Sequence, residues 1–194
     1  MSHRTEHLPE VSGLRHVVRE MRHKESARQI LGFVFVLLVT ALGTPQLPLA
    51  YAGIPLILAG VVVRMWASGH IMKNSVLATN GPYSLVRHPL YTGNILLLVG
   101  FAIVASQLWG YLLLAAFLLF YYPTAIRYED YKLEQLFADQ WRAWSANTPA
   151  LLPRRLWSKD ITNAEWSLIN SMDRNKEPVI AIVLLTCLVV LFLK

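Results

Sequence analysis

Cysteine is almost absent from this chain: Cys187 is the only one in 194 residues, which excludes an intramolecular disulfide. Charge is also scarce, at 15% of residues against 55% hydrophobic, a balance far from that of ordinary soluble domains. Between residues 70 and 93, His70 and His88 have no Cys, Asp, Glu or further His at ligand spacing, so the pattern of a zinc site is missing. Gly81 and Gly93 are too far apart for a phosphate-cradling loop and no GK[ST] triplet follows them, which removes the usual nucleotide fingerprints. Acidic residues are the rarer sign, 12 against 18 Lys and Arg, for a formal charge of +6. The basic residues are not gathered into a soluble module, so the excess reads as membrane topology and attraction to anionic lipid, with no nucleic-acid partner.

What the chain does have is apolar runs. The first begins near Ile30 and ends at the turn of Thr44, Pro45, Gln46 and Pro48. The second covers 49–66 and contains Pro55 and one charge, Arg64, expected to snorkel to the interface beside Trp66. The third and fourth, about 90–107 and 108–125, form a hairpin around Ser106, Gln107 and Gly110. The last covers 178–193 and carries Cys187. Because about 20 residues cross a bilayer, the pattern predicts an all-α polytopic integral membrane bundle of about five transmembrane helices, the first barely long enough.

Orientation follows from the basic residues. Arg4, Arg15, Arg19, Arg22, Lys24 and Arg28 precede the first run, whereas the connections around Pro45 and Gln107 contain no Lys or Arg. The amino terminus and the regions around Lys73 and Arg87 and over 127–176 are therefore expected on the cytoplasmic side, with the carboxyl terminus outside. Residues 1–29 read as a cytoplasmic amphipathic segment, with Leu14, Val17, Val18 and Met21 toward the interface, and no small-residue cleavage pattern suggests its removal. Residues 30–194 read as one membrane domain.

One polar stretch carries the chemistry: GPYSLVRHPLYTG, residues 81–93. Asn80-Gly81-Pro82 favours a turn, and Pro89 disfavours a helical conformation at His88, holding that ring outside a regular helix. Arg87 offers a fixed charge for a carboxylate or phosphate, Tyr83 and Tyr91 offer faces for an adenine or a cationic centre, and Gly93 allows close approach. Headgroup anchoring at a helix end uses the same residue types.

This stretch resembles the GPYxxVRHPxYxG signature of the isoprenylcysteine carboxyl methyltransferase family and its prokaryotic membrane relatives. A second block, Glu129-Asp130, Leu133, Phe137-Ala138, Trp141, Trp144, Pro149 and Pro153, resembles the family's EExxLxxxFGxxYxxYxxxxPxxxP pattern, with Asp130, Ala138, Trp141 and Trp144 in place of Glu, Gly, Tyr and Tyr. Asn147 stands where the eukaryotic prenylcysteine enzymes carry a basic residue. The resemblance implies an all-helical membrane enzyme that uses S-adenosylmethionine without a metal, its cofactor region within 76–153. It implies cofactor contacts from Tyr83, Arg87, His88, Pro89, Tyr91, Gly93 and Glu129. Trp141 and Trp144 form with Phe137 an aromatic stripe that either closes the cofactor pocket or rests at the interface, and Arg87, Glu129 and Arg142 are the candidate catalytic residues, either arginine to orient an acidic acceptor and Glu129 to relay a proton. The acceptor it implies is a lipophilic small molecule or lipidated group, with membrane lipids around it and no obligate protein partner. A noncatalytic membrane scaffold or a small-molecule transporter is the alternative.

Overall fold

The computed structural model describes residues 25–71, 76–162, 166–174 and 176–194. The amphipathic segment expected over 1–29 lies, up to residue 24, outside them. The chain divides into two compact units, Met1–Val34 and Phe35–Lys194. The described part of the first is helical from Glu25 onward. The second holds every residue of the candidate site described below.

The described residues fold as α-helices, with single 3₁₀ and π turns in the connections between them. Helix α1 is Glu25–Leu42, α2 Leu47–His70, α3 Pro89–Ala105, α4 Leu108–Ala116, α5 Tyr122–Ser145 and α6 Glu177–Phe192. A π turn, Phe117–Tyr121, joins α4 to α5 without a break, so Leu108 to Ser145 is one helical run of 38 residues, kinked near its end. Proline at N1 or N2 opens α2, α3 and α6, where its missing N–H costs no intrahelical bond. Helix α3 stops at Ser106, whose φ of 54° is left-handed and whose N–H bonds back to Ala102 and Ile103.

These boundaries correct the expectation of about five transmembrane helices. Among the described residues two stretches are long and apolar enough to cross a membrane, Leu47–His70 and Leu108–Ser145. The apolar parts of the others, Ile30–Leu42, Pro89–Ala105 and Glu177–Phe192, are shorter. At about 1.5 Å per residue, even a 17-residue helix rises only about 25 Å against a hydrocarbon core of about 30 Å. The physical causes lie at the ends: Pro89 and Ser106 bound α3, and α6 begins only after Lys176, itself left-handed at φ 53°. The fourth apolar run, in contrast, continues well past residue 125 as the charged, amphipathic α5.

An all-α bundle of membrane character remains. Leu112, Leu119, Phe120, Val62, Val179 and Ile182 point outward and exposed, the reverse of a water-soluble helix. Inside, Phe35, Val39, Ile57, Phe101, Val104 and Leu191 are fully buried. Helices α2 and α3 approach closely through glycines spaced by seven residues on each, Gly53 and Gly60 against Gly100 and Gly93. A Cβ on Gly53 would lie 2.6 Å from the Gly100 carbonyl oxygen, and one on Gly60 would lie 2.8 Å from that of Gly93. Small residues at such a seam let backbones meet where larger side chains would hold them apart.

Candidate active site at the start of α3

The stretch 81–93 folds into a short turn followed by the first coil of α3. Gly81 has φ 59°, and a Cβ there would lie 2.6 Å from Nε2 of His70 at the end of α2. Gly81–Ser84 form one 3₁₀ turn, tied by the Ser84 hydroxyl donating to the Gly81 carbonyl at 2.7 Å. His88 is non-helical at φ −126° and ψ 63°, the conformation that a following proline favours.

A distant segment lies alongside. The N–H of Arg87 donates to the Pro149 carbonyl at 2.8 Å and that of His88 to Ala150 at 3.0 Å, while the Thr92 hydroxyl donates to Leu151 at 2.9 Å. These bonds satisfy backbone groups that lie just ahead of the helix.

Helix α5 brings the acids. Asp130 uses one oxygen for each of two neighbours: Oδ2 lies 3.0 Å from Nη2 of Arg87, and Oδ1 lies 2.7 Å from Nε2 of His88. Nη1 of Arg87 donates to the carbonyls of Ser145 and Thr148, each at 3.1 Å. The guanidinium carbon lies 5.7 Å from the ring centre of Trp141, which in turn meets Trp144 edge to face at 5.2 Å. Glu129 accepts from the Tyr91 hydroxyl at 2.8 Å.

The geometry of α5 beyond these acids depends on Ala138. Its φ of 42° and ψ of −115° kink the helix and turn 139–145 toward Arg87. A left-handed alanine is strained, and the related pattern carries glycine at this place. Here alanine occupies the place, and its Cβ sits in the kink.

Tyr83 is buried, and its hydroxyl has no hydrogen-bond partner among the described residues. Burial raises its pKa well above the usual tyrosine value, the carboxylates of Glu129 and Glu177 raise it further, and Arg64 opposes them. Nε of Arg87 is likewise buried without a partner. A carboxylate pair, a guanidinium, an imidazole and buried hydroxyls suit the ammonium, carboxylate and ribose of an amino-acid nucleoside such as S-adenosylmethionine.

The structure thus gathers Arg87, His88, Tyr91, Glu129, Asp130, Trp141 and Trp144, with Pro89 opening α3 beneath them. Gly93 faces elsewhere: its missing Cβ makes room for Cγ of Arg64, 2.6 Å from where that Cβ would be. Arg142 stands apart, exposed on the flank of α5 with Glu134 at 2.8 Å and Asp139 at 3.5 Å.

Arg64 departs from the expectation that it snorkels. It is buried, with Nε 3.1 Å from Oε2 and Nη2 2.5 Å from Oε1 of Glu177, while Nη1 donates to Oδ1 of Asn94. A single cation in one apolar run and a single acid at the head of another was the available signal for this pair. Among the described residues no group of three or more His, Cys, Asp or Glu is arranged to hold a metal ion.

Comparison with known proteins adds a family. Residues 49–140 match the phospholipid methyltransferase family, a stretch that includes the motif of 81–93 and both acids but ends before Trp141. The chain is also similar to the cobalt-zinc-cadmium resistance protein CzcN of Cupriavidus metallidurans, 35% identical over 133 residues that make up 66% of this chain and 58% of that protein. It is 36% identical over 95 residues to the nickel-cobalt-cadmium resistance protein NccN of Alcaligenes xylosoxydans xylosoxydans, 48% of this chain and 44% of the relative. The match therefore spans about half the length of these curated relatives. No solved structure matches the chain. The isoprenylcysteine enzymes named from the motifs are not among these relatives, and what holds is broader: residues 49–140 form a domain similar to the phospholipid methyltransferases within an all-helical, membrane-type protein.

Proposed function

We propose that the protein is a membrane methyltransferase that uses S-adenosylmethionine and methylates a lipophilic acceptor. The observation that carries this reading is the junction at Asp130, where two blocks far apart in sequence meet: Arg87 and His88 on one carboxylate, with Tyr91 on the adjacent Glu129. Bound there, S-adenosylmethionine supplies an electrophilic methyl group on sulfur.

The chain's own residues do the rest. Tyr83, Glu129, Asp130 and Tyr91 offer acceptors and donors for the cofactor's polar groups, and Arg87 and His88 face its acidic end. Trp141 and Trp144 cover the site from the α5 side, keeping water from competing for the methyl. A carboxylate acceptor needs only alignment, so positioning carries much of the rate. An amine or alcohol acceptor must also lose a proton, and the His88–Asp130 pair is suited to take it. Arg142, exposed on the flank of α5, would orient an acidic head group arriving along that helix in exchange for its partners Glu134 and Asp139. The acceptor class is an apolar molecule presenting a carboxylate, as prenylcysteine does, or another small nucleophile. The basic residues that precede Ile30 favour a cytoplasmic side for the amino terminus and the site.

The test is calorimetry of the purified protein with S-adenosylhomocysteine, followed by mass spectrometry of membrane lipids and a synthetic prenylcysteine incubated with labelled cofactor. Binding and a labelled lipophilic product are expected. A folded protein that binds neither S-adenosylmethionine nor S-adenosylhomocysteine defeats the reading.

A second reading is a noncatalytic or transporting membrane component of a metal-resistance system. It is favoured by both relatives, which are named as metal-resistance proteins. It predicts that cells lacking the chain lose tolerance to cobalt or cadmium, and that a site variant such as E129Q restores tolerance as fully as the native chain.

A further inference from the structure

Helix α6 lies outside the stretch that matches a methyltransferase family, yet it supplies one half of the buried ion pair next to the candidate site. Both side chains are nearly inaccessible, 8% exposed for Arg64 and 3% for Glu177. Such pairs contribute little net stability, because desolvation offsets most of their attraction, and apolar replacements of the same volume often fold as well. A role in holding geometry is the better account of this one.

The contacts indicate what is held. The guanidinium of Arg64 is engaged at all three nitrogens, by Glu177 on α6 and by Asn94 on α3. Its stem passes over Gly93, where no side chain intervenes. Asn94 follows the motif directly, so fixing it fixes the first coil of α3, which carries Pro89, Tyr91 and Thr92. We propose that Glu177 is a positioning residue: acting through Arg64 and Asn94, it sets the start of α3, and with it the rings of His88 and Tyr91, against the acids of α5. Burial raises the pKa of the Tyr83 hydroxyl, and Glu129 in the candidate site and Glu177 on α6 both raise it further, in keeping with that arrangement.

The inference rests in part on the methyltransferase reading, so its test has one arm that needs no cofactor. Full-length protein in detergent is compared with E177Q and with the apolar double variant R64M/E177M, by hydrogen exchange and by calorimetry with S-adenosylhomocysteine. In both variants the amides of residues 83–94 are expected to exchange about tenfold faster while those of α4 are unchanged. Affinity for S-adenosylhomocysteine should fall about tenfold in the double variant even where its melting temperature equals the native one. A mere brace predicts the opposite for R64M/E177M: restored stability, native exchange over 83–94 and native affinity, and that result overturns the proposal. Failure of both variants to fold overturns it as well, since the pair would then hold the whole bundle and not one turn. If the native protein binds no S-adenosylhomocysteine, the methyltransferase reading falls, and the exchange measurement alone decides the role of Glu177.

Discussion

Asp130 Oδ1 lies 2.7 Å from His88 Nε2, closing a gap of 42 residues between a helix of mostly polar surface and a turn at the end of an apolar run. The second oxygen of the same carboxylate holds Arg87, so a single side chain joins both halves of the candidate site.

Replacing Asp130 by Asn removes the charge that both partners share. Hydrogen bonds to charged groups contribute about 1.5–3 kcal/mol each when buried, and the partial exposure of this cluster argues for the lower end, so D130N should lose about 1–2 kcal/mol of stability. Affinity for S-adenosylhomocysteine should fall more than about tenfold. Thermal unfolding and calorimetry measure the two effects, and native values in both would show that the cluster is dispensable.

Ala138 offers a test in the stabilising direction. Its left-handed conformation costs of order 1–3 kcal/mol for a residue with a Cβ, and glycine adopts it freely. A138G should therefore raise stability by about 1 kcal/mol after the entropy of the added glycine is deducted. A138V should lower it. If A138G instead loses stability as an ordinary helical alanine would, the kink at this residue is wrong.

The α2–α3 seam predicts a contrast between two glycines. A Cβ at Gly60 meets the Leu97 side chain at 2.7 Å and the Gly93 carbonyl at 2.8 Å, whereas one at Gly110 meets nothing within 4 Å. G60A should cost about 1–3 kcal/mol by overpacking. G110A should gain about 0.5–1 kcal/mol from helix propensity. Equal effects in denaturation of the two variants would refute the close approach of the helices.

Arg142 separates acceptor from cofactor. Its partners are exposed, so R142A should leave stability nearly unchanged. Binding of S-adenosylhomocysteine should be unchanged, while KM for an acidic acceptor rises and for a neutral one does not. A loss of cofactor affinity in R142A would place this residue inside the site, contrary to its position on the flank of α5.

Much of this protein was legible in its sequence. Helices depend on bonds four residues apart, so apolar runs and prolines marked α2, α3 and α6 to within a few residues, and Pro89 alone accounts for the non-helical His88. Of the residues in the two motif blocks, Arg87, His88, Tyr91, Glu129, Asp130, Trp141 and Trp144 come together at the start of α3, while Gly93 faces Arg64. Helix length was less accessible: composition alone does not reveal that Ser106 turns left-handed, or that a π turn carries the fourth run on into α5, and for that reason about five crossings were expected where two helices qualify. Only the tertiary structure decided the pairings. Arg64 and Glu177 are 113 residues apart, and their contact depends on the register of three helices, which glycines at the seam allow and no local rule predicts. The same holds for Asp130, whose choice of Arg87 and His88 follows from where α5 lies against the turn, a matter of packing geometry and not of sequence spacing.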